Sequence, residues 1–215
     1  MNIEEIIYKI AVWALPVLFA ITLHEVAHGW VANKLGDGTA KMLGRLTANP
    51  IKHIDPVGTI AMPLIMLVLQ TGFLFGWAKP VPVNTRNFKN PRRDMAIVAI
   101  AGPLANLAMA IFWALVMKVA ITVIGDSGVG QGLRQMGEAG IIINLILFVF
   151  NLLPIPPLDG GRVLSNFVPA TVSDMLDNIE PYGFFIVIGL LYFGVLNAIL
   201  SPVILFFMQT INALF

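Results

Sequence analysis

The sequence predicts an all-α integral membrane protein. The expected architecture is a polytopic bundle of about five to six transmembrane helices, with a candidate re-entrant or strand-like element at 56–84. Three observations predict it. Of 215 residues, 58% are hydrophobic and only 12% are charged, which excludes a disordered chain and an ordinary soluble globule. Apolar runs recur at Ile7–Ala32, Val57–Phe75, Met95–Ile124, Ile141–Leu153 and Gly183–Phe215. None alternates residue by residue, so a transmembrane β-barrel is not expected and helices remain to satisfy the backbone in lipid. No polar gap is long enough for a second folded unit, so 1–215 reads as one transmembrane domain. The net charge of +1 gives no sign of nucleic-acid binding. With no cysteine there are no thiolate metal ligands, and the histidines are His24, His28 and His53.

The first run is expected to be a retained span, because it lacks a small-residue cleavage site. Within it lies His24-Glu25-Val26-Ala27-His28. Histidines four apart share a helix face and can bind one zinc ion, with the glutamate acting on a water held there. A carboxylate at membrane depth costs roughly 2.5–3.5 kcal/mol on insertion scales, and a bound metal is one way to offset it.

The second run is flanked by basic gaps. Lys34, Lys41, Arg45 and Lys52 precede it; Lys79, Arg86, Lys89, Arg92 and Arg93 follow it. Both gaps belong on the cytoplasmic side by the positive-inside rule, so a full crossing between them is contradictory. The conflict resolves if Pro56–Trp77 dips in and returns, which Pro56, Gly58, Pro63, Gly72 and Gly76 make feasible. The expected topology then has the N-terminus outside and the His-Glu motif toward the cytoplasmic end of the first helix.

The third run contains Ala101-Gly102-Pro103-Leu104-Ala105-Asn106. Gly102 and Pro103 permit close helix approach, and Asn106 reads either as a helix–helix contact or as a substrate or ligand contact. On the fourth run Asn144 and Asn151 share a face, and one of them is expected to face the metal. That run ends in Asn151-Leu152-Leu153-Pro154-Ile155-Pro156-Pro157-Leu158-Asp159-Gly160-Gly161-Arg162, unwound backbone of the kind that lines cavities. Asp159 is the leading candidate for a third zinc ligand, although alone it reads as a turn residue. The fifth run exceeds one untilted span, and Ser201-Pro202 is the expected break. His53 reads as a loop residue and Arg92-Arg93 as a topology determinant.

These motifs, in this order, resemble the site-2 protease family of intramembrane zinc metalloproteases. The resemblance rests on His24–His28, Gly102–Asn106 and the Leu158-Asp159-Gly160 stretch. Asn49–Gly58 and Gly76–Asn84 resemble the short bacterial branch without a PDZ domain. It implies one Zn²⁺ per chain on His24, His28 and Asp159, with Glu25 catalytic. It implies cleavage in or near transmembrane segments of membrane protein substrates, in a multi-pass protein of the bacterial plasma membrane. It also implies an extended element near the membrane that presents substrate. Asn106 and Asn151 are the candidate substrate or oxyanion residues. The alternative is a zinc-binding membrane protein without hydrolysis, such as a transporter or inactive scaffold. A transporter would spread ionisable ligands along a path, and a scaffold has no need of Glu25.

Overall fold

A computed structural model describes residues 3–68 and 76–214. The order is α1 (Ile3–Lys34), α2 (Thr39–Met42), α3 (Met62–Val68), α4 (Pro91–Val119), α5 (Gly128–Asn151), α6 (Asp159–Phe167), α7 (Ala170–Tyr192) and α8 (Val195–Leu214). A π-helical turn at Pro56–Ala61 leads into α3, and another at Ala120–Ile124 continues α4. No described residue is in a strand.

Local chemistry sets the ends. α1 opens on Glu4 and Glu5 and closes on Lys34, each charge opposing the helix dipole. α4 starts with Pro91, where the missing N–H is not needed, and the Asp94 carboxylate accepts from Asn90 N at 3.0 Å. α5 begins before its apolar run because Ser127 Oγ accepts from Gly130 N at 3.1 Å.

The helices pack with α4 against both α1 and α5. One core joins Ala110, Trp113 and Ala114 of α4 to Ile141 and Leu145 of α5 and Ile211 of α8. A second joins Phe148 and Val149 of α5 to Val187 of α7 and Leu196 and Leu200 of α8. The exterior is apolar as well, and some polar groups lie inside. Asn106 and Asn144 are fully buried, while Ile111, Phe112 and Leu115 point outward. Lipid would solvate such an exterior, and the buried amides then serve as interhelical bonds.

By length and composition, α1, Pro91–Ile124 and α5 are each able to cross a membrane. Ala170–Tyr192 and Val195–Ile211 qualify only together and are bent by 79° at a short break, which makes four if they form one span. The all-helical membrane class holds; among the described residues, fewer helices are long and apolar enough to span than there are apolar runs. Two local features explain the difference. The last run breaks at Gly194 (φ 72°), and not at Ser201-Pro202 as the proline led one to expect. Phe193 N bonds Gly189 O, and Gly194 N bonds Leu191 O, a left-handed glycine stop. Pro202 is absorbed within α8.

The second run is the other feature. Trp77 N donates to Gly58 O at 3.1 Å, Thr59 Oγ1 to Trp77 O at 2.8 Å, and Lys79 N to His53 O at 2.9 Å. The chain leaves at residue 58 and is back beside it at residue 77. A full crossing would separate those residues by the thickness of a bilayer, so this segment returns as the charge pattern requires. Its part at 69–75 lies outside the described residues.

Candidate metal centre

His24 and His28 sit on one face of α1, one turn apart, and Asp159 is the first residue of α6. One atom from each converges. His24 Nε2 lies 3.1 Å from Asp159 Oδ2, and His28 Nε2 lies 3.3 Å from the same oxygen. The two Nε2 atoms are 3.0 Å apart. All three side chains are buried, at 8–9% exposure. Among the described residues this is the one group of three ligating side chains close enough to share an ion.

The hydrogen bonds behind the cluster fix what those atoms carry. Asn144 Nδ2 donates to Gly140 O at 2.8 Å, so its Oδ1 is free to accept. It accepts from Asn106 Nδ2 at 3.0 Å, and the same amide donates to Ala20 O at 3.0 Å. Asn106 Oδ1 therefore faces His24 Nδ1 at 2.6 Å and can only accept, so Nδ1 carries the proton. His28 Nδ1 faces a carbonyl, Val98 O, at 2.7 Å and likewise must donate. Both Nε2 atoms are left with lone pairs.

Three lone pairs thus meet at one point, and Asp159 Oδ2 is buried without a hydrogen-bond partner. They repel one another unless a positive charge lies between them. Zinc bonds of roughly 2.0–2.2 Å in a tetrahedron place neighbouring ligand atoms about 3.3–3.6 Å apart. The observed edges of 3.0, 3.1 and 3.3 Å fall within a few tenths of that. The donor set, two imidazoles and a carboxylate with outer partners on both Nδ1 atoms, fits zinc.

Tight backbone packing makes room for this. A Cβ at Gly102 would strike His28 Nε2 and His24 Cε1, so α4 can approach the imidazoles only with glycine there. Pro103 has no N–H for the Ala99 carbonyl four residues back, and the neighbouring Val98 carbonyl meets His28 Nδ1 at 2.7 Å. Added Cβ atoms at Gly160 and Gly161 would strike the Leu152–Leu153 and Ile155–Pro156 backbone. That close wrap brings Asp159 back under α1.

Glu25 does not join the cluster. Its Oε2 accepts from Val81 N at 2.7 Å, and its side chain lines a cavity of about 440 Å³ with His24, His28 and Asp159. Asn151 lines the same cavity, but its Nδ2 donates to Leu147 O of its own helix at 2.9 Å. Of the two asparagines on α5, Asn144 supports the cluster through Asn106, and neither touches it. His53 lies elsewhere, buried, with Nε2 3.0 Å from Thr47 O. Sequence reasoning missed the Val98 carbonyl and the Val81 amide.

A model of peptidase family M50 matches residues 119–194, which include Asp159. The chain is 44% identical over 192 residues to a Bacillus subtilis protein named "Putative zinc metalloprotease YwhC", covering 88% of this chain and 84% of that one. It is 30% identical over 181 residues to "Putative zinc metalloprotease Rip2" of Mycolicibacterium smegmatis, covering 84% of this chain and 66% of that protein. It is 42% identical over 68 residues to "Putative zinc metalloprotease MJ0611" of Methanocaldococcus jannaschii, 32% of each chain. No solved structure matches. With the first of these relatives covered over most of its length, and Asp159 inside the family match, the chain belongs to peptidase family M50, the site-2 protease family of zinc metalloproteases.

Proposed function

We propose that this protein is an intramembrane endopeptidase that binds one zinc ion through His24, His28 and Asp159 and cuts peptide bonds in or near transmembrane segments of membrane proteins. The convergence of three lone-pair atoms with both Nδ1 atoms already donating elsewhere carries the reading. Zinc bound there would lower the pKa of a water toward about 7 and polarise a peptide carbonyl.

The chain's own residues supply the rest. Glu25 takes a proton from the attacking water and passes it to the leaving amine as the peptide C–N bond breaks. The Val81 amide holds one carboxylate oxygen, leaving the other free of that bond. Asn106 keeps His24 in the tautomer that presents Nε2. Asn151, Leu147 and Phe150 line the cavity and are placed to meet substrate. Trp77 and Phe184, 5.6 Å apart between ring centroids, join the Gly76–Asn84 segment to α7 beside the same cavity. Lys34 and the basic gaps lie at the end of α1 that carries the motif, which favours a cytoplasm-facing site in a plasma-membrane protein, with lipid and membrane proteins as partners.

The test is cleavage in a bilayer. Reconstituted with single-span substrates, the zinc-loaded protein is expected to cut within or beside the apolar segment, as mapped by mass spectrometry of both fragments. Fully zinc-loaded protein that leaves every membrane-spanning substrate intact would favour the non-proteolytic alternative.

A further inference from the structure

In Lys79-Pro80-Val81-Pro82 the prolines have no N–H, so across 80–82 only Val81 can donate. That single donor goes to Glu25 Oε2. The carbonyl of the same peptide unit, Pro80 O, lies 3.4 Å from Arg45 Nη2, which donates more closely to Lys79 O at 2.8 Å. Arg45 is 9% exposed, and among the described residues no carboxylate pairs with it. Burying an unpaired guanidinium is expensive, and a neutral side chain would pack this loop at lower cost. A cation at a carbonyl oxygen polarises the peptide and strengthens its N–H as a donor.

A second observation is independent of these bonds. Gly29 lies one turn after Glu25 on α1. A Cβ there would come within 2.6 Å of Leu46 Cδ2 and 2.8 Å of Val81 Cγ1. The helix therefore has a notch that receives both Val81 and the residue after Arg45. Val81 is correspondingly buried.

We infer that Arg45 is a positioning residue for Glu25, acting through the Pro80–Val81 peptide to fix the carboxylate beside the metal cluster. The inference rests on the proteolytic reading for what Glu25 does, but not for the clamp itself. A flexible Glu25 would meet the water in many orientations. Misplacement by about 1 Å can lower turnover by up to about 100-fold.

The test uses full-length, zinc-loaded protein in lipid nanodiscs. Arg45→Met is expected to lower kcat by about 10- to 100-fold with KM and zinc content little changed. Arg45→Lys, which keeps one charged donor, should restore most of that loss. Val81→Pro, which deletes the donor and also changes the side chain seated in the Gly29 notch, should reproduce it. A structural readout needs no cleavage. The chain has no native cysteine, so Val81→Cys can be labelled with a maleimide on a clean background. Adding Arg45→Met should speed that labelling about tenfold by opening the segment locally. An unchanged kcat in Arg45→Met or Val81→Pro, a loss carried by KM alone, or unchanged labelling each overturns the inference. A wild-type protein that does not cleave counts against the protease reading instead, and the labelling rate still decides the clamp.

Discussion

Glu25→Gln is expected to abolish proteolysis, by about 10²- to 10⁴-fold in kcat, and to leave the zinc content untouched. The two halves of that result have separate causes. Glu25 does not contribute an atom to the His24–His28–Asp159 triangle, so neutralising it removes no ligand. A glutamine oxygen can still accept the Val81 N–H, so the side chain is held where the carboxylate was. What disappears is the ability to take a proton from water. Kinetics on a membrane-spanning substrate, with elemental analysis of the same preparation, measure both. A Glu25→Gln enzyme cutting at the parent rate would assign the proton to another group.

Asp159→Ala is expected to strip the metal. Only two imidazole nitrogens would remain, at 3.0 Å from each other, with nothing to complete a zinc site. Loss of an outer partner typically costs about 10- to 100-fold in metal affinity, and loss of a ligand should exceed that. The asparagines grade the effect. Asn106→Ala removes the acceptor that orients His24 and should fall in the 10- to 100-fold class. Asn151→Ala should leave affinity unchanged, because its amide is engaged with Leu147 O. Competition for zinc against a chelator of known affinity ranks the three variants. Equal retention by Asp159→Ala and Asn151→Ala would point to a different third ligand.

Much of this site can be read without coordinates, because its chemistry is carried by residue types that are costly where they stand. The His-x-x-x-His spacing survives as helix periodicity. Asp159 is marked by three prolines before it and two glycines after it. Asn106 is marked by its place in an apolar run, but its partners are not, since helix packing and not local pattern brings His24 and Asn144 to either side of it. Asn151 has the right face and the wrong neighbour: an amide near a helix end bonds its own backbone readily. The return of the second run was readable from charge alone. The Gly194 stop was not. A proline at 202 signals a break more loudly than a glycine at 194, yet the glycine sits where a left-handed residue closes the helix. Contacts made by backbone, such as Val98 O with His28 and Val81 N with Glu25, leave no mark on residue identity.

The central claim is that two imidazoles and one carboxylate hold a single zinc ion inside the helix bundle. X-ray absorption at the zinc edge, on purified protein quantified by elemental analysis, tests it most directly. The predicted result is one zinc per chain, with two imidazole nitrogens and lighter oxygen donors at about 2.0–2.2 Å. Protein that folds, binds no zinc when supplied with it, or shows a shell without histidine nitrogen would contradict the account.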